Sequence, residues 1–320
     1  MVSIAMIFPG QGSQKIGALS QLSKQNIIIK DTFEEASEYL KYNLWKLINY
    51  GPFKKINQSK YAQPLILVSS IAIYRLWKKM GGCNPHISAG HSLGEYSALV
   101  CGNSINFEDA VKFIQQRGKI MENCVQNQEV CMKVISGLRE KTILNLCKKY
   151  SNYNIVNIAS INAKTQIVIS GHKIAVEKTA QECKKIGAKL IVNIPINISS
   201  HCEIMKKISI KISQKLRKIS FQTPLYTILN SIFIKKYQTK KDICDNLTKQ
   251  LYHPVQWEKT VKVLQKNTDI TLEVGPREIL TNLYKKYYFS KCISINNPQN
   301  FFLALELSQN KTNKKNNSIN

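Results

Sequence analysis

The sequence predicts an α/β fold in which a small second domain interrupts a larger one, and three observations carry this prediction. A short apolar run, residues 87–89, leads into Gly90-His91-Ser92-Leu93-Gly94, and a helix-like run, residues 95–101, leaves it. Residues 130–195 then read strand, helix, strand, strand, helix, strand, the ferredoxin-like order. Beyond them the chain returns to alternating helical and strand patterns.

The elements follow in order. Residues 4–8 read as a buried strand, and Pro9-Gly10-Gln11-Gly12-Ser13-Gln14 as the loop after it. Thr32-Phe33-Glu34-Glu35 has capping-box spacing and predicts a helix start, with Phe33, Ala36, Leu40, Leu44 and Leu47 on one side. Pro64 suits the first turn of another helix, which Leu67, Ile71 and Leu76 carry toward Gly81-Gly82. A helix over 107–124 follows the Gly-rich pentapeptide. In the small domain, strands are predicted at 130–135, 155–161, 166–170 and 189–194, with helices at 141–149 and 174–186. The return segment predicts helices at 202–219, 240–252 and 257–264, strands at 225–229 and 270–274, and a final helix–strand unit. The expected division is a large domain from 1–127 and 199–308, an insert at 128–198, and a disordered tail at 309–320, which is rich in Lys and Asn.

Composition limits the function. With 320 residues and 43% hydrophobic content the chain can bury a full core, and no apolar run approaches the ~20 residues of a membrane span. The N-terminus has no basic leader and reads as a strand, not a signal peptide. Nine dispersed cysteines without C-x-x-C spacing, and only five His, predict reduced thiols in a cytoplasm and no zinc site. The net charge of +26 points first to nucleic acid. However, only five of the 46 basic residues are Arg, and the lysines are spread over the whole length beside abundant Ile and Asn. That is a compositional bias, not a basic stripe, so no specific nucleic-acid role is expected. An acidic protein partner would still be attracted, less so as salt rises.

Gly90-His91-Ser92-Leu93-Gly94 is a G-x-S-x-G nucleophile-elbow pattern. Such a serine sits on a strained strand-to-helix turn with its hydroxyl projecting, and the Leu93 amide then points where an oxyanion would form. Arg117 shares a helical stripe with Ala110, Phe113, Ile114 and Met121, while Lys112, Gln115 and Lys119 face outward. An arginine on an apolar stripe fits a bidentate clamp for a substrate carboxylate; a structural ion pair or a snorkelling stem gives the same pattern. Ser200-His201-Cys202-Glu203 has capping-box spacing, which puts His201 in a first helical turn whose dipole disfavours imidazolium. His201 is therefore the candidate base, although a lone His near a cap is also ordinary polar surface. His91, next to the serine, is expected to point away from the hydroxyl. No acidic residue stands out as a third triad member. The loop at 9–14 offers the Gln11 amide as a second oxyanion donor or is a plain turn; its glycines lack dinucleotide-loop spacing.

Taken together, these residues resemble the malonyl-CoA:acyl carrier protein transacylase family of bacterial type II fatty-acid synthesis. The matching segments are Phe8 to Gln14, Gln63-Pro64, Gly90 to Leu99, Gln116-Arg117-Gly118, Ser200-His201, Pro254-Val255-Gln256-Trp257 and Glu273-Val274-Gly275-Pro276, over roughly residues 2–305. The resemblance implies an α/β-hydrolase-like large domain with an inserted ferredoxin-like small domain. It implies Ser92 as nucleophile, His201 as general base and acid, Arg117 as the malonyl carboxylate clamp, and the Gln11 and Leu93 amides as oxyanion hole. The Gln250 carbonyl would orient His201, Gln63 would line the acyl pocket, and Asn162 would approach from the small domain. The implied substrates are malonyl-CoA and the phosphopantetheine thiol of an acidic, transiently bound acyl carrier protein, with no cofactor or metal and a monomeric chain. Three positions depart from the family pattern. Val130-Cys131-Met132-Lys133-Val134 replaces a Gly-x-Met-x-Ala-like segment, Ser199 stands where proline is usual, and Arg277 stands where a glycine follows Gly-Pro. The last predicts a rebuilt turn if that position needs positive φ. The nearest rival reading is a serine hydrolase or thioesterase with the same elbow.

Overall fold

A computed structural model describes residues 2–152, 154–196 and 198–309. Among these residues nine strands form: β1 (Ile4–Phe8), β2 (Ile87–Gly90), β3 (Val130–Ser136), β4 (Val156–Ala163), β5 (Gln166–His172), β6 (Leu190–Asn193), β7 (Thr227–Leu229), β8 (Ile270–Glu273) and β9 (Cys292–Ser294). The helices that precede the small sheet are α1 (Ser20–Gln25), α2 (Ile28–Leu40), α3 (Leu44–Tyr50), α4 (Phe53–Ile56), α5 (Ser59–Lys79), α6 (Gly94–Cys101) and α7 (Phe107–Cys124). After them come α8 (Glu140–Tyr150), α9 (Lys173–Lys185), a 3-10 segment Glu203–Ile208, α10 (Ser209–Leu216), α11 (Lys240–Lys249), α12 (Trp257–Asn267), α13 (Ile279–Leu283) and α14 (Pro298–Gln309).

The fold is α/β, with two sheets. One is five-stranded and parallel in the order β7-β2-β1-β8-β9. Its middle strand β1 is buried at all five positions, as a parallel strand covered on both faces must be, which explains its unbroken apolar run. The other is four-stranded and antiparallel in the order β4-β5-β3-β6, with α8 and α9 as its helices. Ile135, Ile143, Val156, Ile167, Ile169 and Val176 form a separate apolar core there. Met132, Ala159 and Val168 instead join the main core. The backbone ties the small sheet to the segment that precedes α12 of the large domain. Ile161 N–H donates to Val255 O at 2.9 Å and Val255 N–H to Ala159 O at 3.0 Å. This tie fixes β4 against the elbow side of the large sheet.

Local structure departs from expectation at several points. Helix α2 begins at Ile28, and Thr32 is no cap: its hydroxyl donates to the Ile28 carbonyl one turn back. Burial of Ile29 extends the helix N-terminally, and Leu44 and Leu47 belong to α3. Helix α5 begins at Ser59, so Pro64 lies inside it and not in its first turn, among residues that are buried from Ala62 to Ile73. The segment expected to be helical over 202–219 splits into the 3-10 stretch and α10. Arg277 is not among the positive-φ residues, so the Gly-Pro-Arg turn needs no glycine there. No helix among the described residues is long and apolar enough to cross a membrane. Helix α14 runs to Gln309, and the rest of the tail expected to be disordered, 310–320, lies outside the described residues.

Candidate active site

Parallel strand β2 ends at Gly90 and α6 begins at Gly94, so His91, Ser92 and Leu93 must reverse the chain in three residues. The turn is strained: Ser92 holds φ 54°. It is also crowded, since a Cβ at Gly94 would lie 2.0 Å from the Phe8 carbonyl oxygen of the neighbouring strand. Ser92 itself is half-buried, open to a substrate. The Leu93 amide stands at the N-terminus of α6, and Gln11 in the loop after β1. Among the described residues neither backbone N–H donates a hydrogen bond, while the Gln11 side-chain amide donates to Ser59 Oγ at 3.0 Å.

His201 reaches this turn from the far side. Its Nε2 lies 2.7 Å from Ser92 Oγ, and its Nδ1 lies 2.7 Å from the Gln250 backbone oxygen. The carbonyl can only accept, so Nδ1 carries the proton and Nε2 is the free base facing the hydroxyl. The reason for a neutral ring differs from the sequence reading. His201 precedes a 3-10 segment whose N-cap, Cys202, makes no side-chain cap bond, and it holds φ 61° in place of a helical first turn. Burial is what pushes its pKa down to about 3, against the raising effect of the Gln250 carbonyl; nearby Arg117 and His91 lower it further.

Arg117 lies on the buried face of α7 with Ala110, Phe113, Ile114 and Met121; Gln116, not Gln115, joins Lys112 and Lys119 on the exposed side. It is 2% exposed and forms no ion pair among the described residues. One guanidinium nitrogen donates to Gln63 Oε1 at 2.8 Å, the guanidinium carbon stands 5.5 Å from the Tyr96 ring centre, and Nε has no partner. Helices α5 and α7 come close enough for this because residue 118 is glycine; a Cβ there would meet Ser59 O at 2.5 Å. A buried cation without a carboxylate is costly, and an incoming anion removes that cost. Gln63, 1% exposed, therefore sits beside the guanidinium, its amide nitrogen turned to Met121 Sδ at 3.6 Å.

His91 points away from the serine, as expected: its Nε2 lies 3.0 Å from Asn162 Oδ1 and 3.2 Å from Ser160 Oγ, and its ring packs on Trp257. Asn162, on β4, thereby approaches the elbow from the small sheet. A cleft of about 510 Å³ lies here, with Gln11, His91, Asn162, Val134, Val192 and Tyr287 among its lining residues. At the departing segment of β3, Val134 lines the cleft and Met132 accepts from Ser200 Oγ at 3.5 Å. Ser199, in the usual proline place, bonds Ser170 Oγ at 2.7 Å.

The structure thus brings Ser92, His201 and Gln250 into one hydrogen-bonded line, and Arg117 with Gln63 and Asn162 with His91 into pairs. Sequence reasoning missed a second layer beneath them. The Gln250 side-chain amide donates to Glu95 and to Ser231 Oγ, and Glu95 in turn accepts from the Ser231 N–H and the Tyr237 hydroxyl. The only local signal was the position of Glu95 one turn after Ser92.

Residues 5–313 match the acyl transferase domain family. The malonyl CoA-acyl carrier protein transacylase of Escherichia coli K12 is 40% identical over 309 residues, covering 96% of this chain and 100% of that protein. Its counterpart in Buchnera aphidicola subsp. Schizaphis graminum is 42% identical over 308 residues, covering 96% and 99%. Among solved structures, the malonyl CoA-acyl carrier protein transacylase of Coxiella burnetii superposes with a TM-score of 0.94 at 35% identity, over 97% of this chain and 98% of that one. A malonyl-transacylase in complex with a type II PKS acyl-carrier protein superposes with a TM-score of 0.93 at 38% identity, over 95% and 99%.

Proposed function

The chain belongs to the malonyl-CoA–acyl carrier protein transacylase family, and from that premise we propose how it works: it transfers malonyl from malonyl-CoA to the phosphopantetheine thiol of acyl carrier protein through a malonyl ester on Ser92. The product supplies fatty-acid synthesis. The observation that carries the covalent route is the 2.7 Å contact between Ser92 Oγ and a neutral His201 Nε2.

His201 Nε2 takes the Ser92 proton as Oγ attacks the thioester carbon. The carbonyl oxygen becomes an oxyanion received by the Gln11 and Leu93 amides, a contribution of ~3 to 4 kcal/mol per donor in comparable sites. Collapse breaks the C–S bond, and CoA leaves with the proton from His201. The carrier thiol then gives its proton to the same Nε2, its sulfur attacks the malonyl ester, and Ser92 recovers the proton as it departs. Gln250 O holds Nδ1–H throughout and keeps the tautomer. Oxyanion donors serve any acyl group alike, so selection for malonyl falls to Arg117, a buried guanidinium that the protein itself leaves without a carboxylate. Gln63 steadies it, and Asn162 with His91 closes the small sheet over the thioester.

Every group in this scheme comes from one chain, which makes the monomer the working unit. Residues 128–198 act as an insert that walls the cleft. The strongly basic chain suits a transient, acidic carrier protein, and nine free thiols suit a bacterial cytoplasm.

The test is the fate of the malonyl group. With malonyl-CoA and phosphopantetheinylated carrier protein, one malonyl-carrier is expected for each CoA released. Free malonate forming in place of malonyl-carrier would make the protein a hydrolase and overturn the transfer reading.

A further inference from the structure

Helix α6 carries a carboxylate that the mechanism above does not use. Glu95 is 1% exposed and has no ion-pair partner among the described residues. Three donors converge on it instead: the Tyr237 hydroxyl on Oε1, and the Ser231 backbone N–H and the Gln250 side-chain amide on Oε2. The Ser231 N–H and the Gln250 amide can only donate, so Oε2 is fixed as an acceptor by two N–H groups. Burial pushes the other way, raising the carboxyl pKa, and the hydrogen bonds oppose it.

Gln250 links this cage to the chemistry. It caps the C-terminal end of α11, where backbone carbonyls have lost their helical partners, and its oxygen is the one that holds His201 Nδ1. Its side-chain amide also donates to the Ser92 carbonyl oxygen at 3.1 Å and to Ser231 Oγ at 3.2 Å. A flipped amide would bring its own oxygen against two acceptors, the Glu95 carboxylate and Ser92 O. The carboxylate therefore dictates which way the amide faces, even though Oε1 is left buried without a partner.

We propose that Glu95 is a positioning residue for acyl transfer: it pins the Gln250 side chain, and through that one residue it fixes both the carbonyl that aims His201 and the strained peptide that presents Ser92. The inference rests on Ser92 and His201 being nucleophile and base. Glu95 touches neither reacting atom and transfers no proton.

The test is a double-mutant cycle with Glu95→Gln and Gln250→Ala in the full chain. Glu95→Gln keeps shape but offers one acceptor oxygen where two were used. Each single variant is expected to lower kcat by about 10- to 100-fold with KM for malonyl-CoA within about 3-fold, the size expected for losing a charge-assisted hydrogen bond at a positioned site. The double variant is expected to be no slower than the worse single one, because both break the same link. In parallel, the NMR signal of the His201 Nδ1 proton is expected to shift in both. An unmoved proton signal with wild-type kcat in Glu95→Gln overturns the proposal, as does multiplicative loss in the double variant. If Glu95→Gln does not fold, Glu95→Asp, which keeps the charge but withdraws it from the Gln250 amide, takes its place in the cycle with the same proton signal and kcat as readouts. Ser92→Ala and His201→Ala run beside them separate the two readings: activity surviving in those controls removes the catalytic assignment itself, whatever Glu95 does.

Discussion

Ser92 Oγ and His201 Nε2 meet at 2.7 Å although 109 positions separate them, and both residues hold left-handed backbone, at φ 54° and 61°. Neither is glycine, so each conformation is held by its surroundings: the elbow between β2 and α6 for one, the Leu251 carbonyl that receives the His201 N–H at 2.8 Å for the other. Backbone strain at both partners is the local cost of bringing hydroxyl and imidazole into line.

In the proposed mechanism the protonation of that imidazole sets the pH dependence. Its folded pKa is lowered from 6.5 to about 3, so the ring is an unprotonated base at neutral pH and becomes inactive only when acid reprotonates it. The acid limb of kcat/KM for malonyl-CoA is expected below about pH 5. A limb centred near 6.5 would show that burial does not govern the ring.

In the proposed mechanism Arg117 sets the acyl preference. Arg117→Ala is expected to lower kcat/KM for malonyl-CoA by at least about 30-fold, the low end for losing a buried charge contact, and to spare acetyl-CoA. Full malonyl preference over acetyl in the variant refutes the clamp.

The elbow tolerates no side chain at its exit. Gly94→Ala places a Cβ 2.0 Å from the Phe8 carbonyl oxygen, with backbone on both sides of the clash. A loss above about 4 kcal/mol, seen as little folded protein or a collapsed melting temperature, is expected. A wild-type melt would mean the turn relaxes freely.

Glu273, at the end of β8, accepts the Leu280 and Thr281 N–H groups at 2.9 and 2.7 Å and so caps α13. Burial raises its pKa from 4.5 to about 7. A raised folded value means that the native state keeps a proton the unfolded chain releases. Its contribution is thus full below 4.5 and lost as pH rises through about 7. Between pH 5 and 8 the wild-type melting temperature is expected to fall relative to that of Glu273→Gln. A constant difference across that range contradicts the shift.

What the sequence made legible follows from how local each feature is. Strand β1 and helix α7 appear at the expected residues because an unbroken apolar run and a clear 3.6-residue stripe each dictate one element. The small antiparallel sheet was readable for the same reason. Some helix starts were not: the Thr32 pattern mimics a cap, but packing of Ile29 into the core carries α2 back to Ile28, whereas α11 and α12 begin where expected, at Lys240 and Trp257. The dipole argument for His201 failed because a 3-10 segment follows it, although the ring is neutral all the same. Glu95 was invisible because all eight residues of α6 are buried, leaving no polar face against which an inward carboxylate would stand out. Its link to Gln250 spans 155 positions, and no periodicity reports a contact of that kind.

A covalent malonyl ester on Ser92 is the step on which the transfer mechanism turns, and it can be trapped. The protein is mixed with malonyl-CoA without carrier protein, quenched in acid within the first turnover, digested, and mapped by mass spectrometry. One malonyl group is expected, on the peptide containing Ser92, discharged when phosphopantetheinylated carrier protein is added before the quench. Malonyl on another residue, or transfer proceeding with Ser92 never modified, would contradict it.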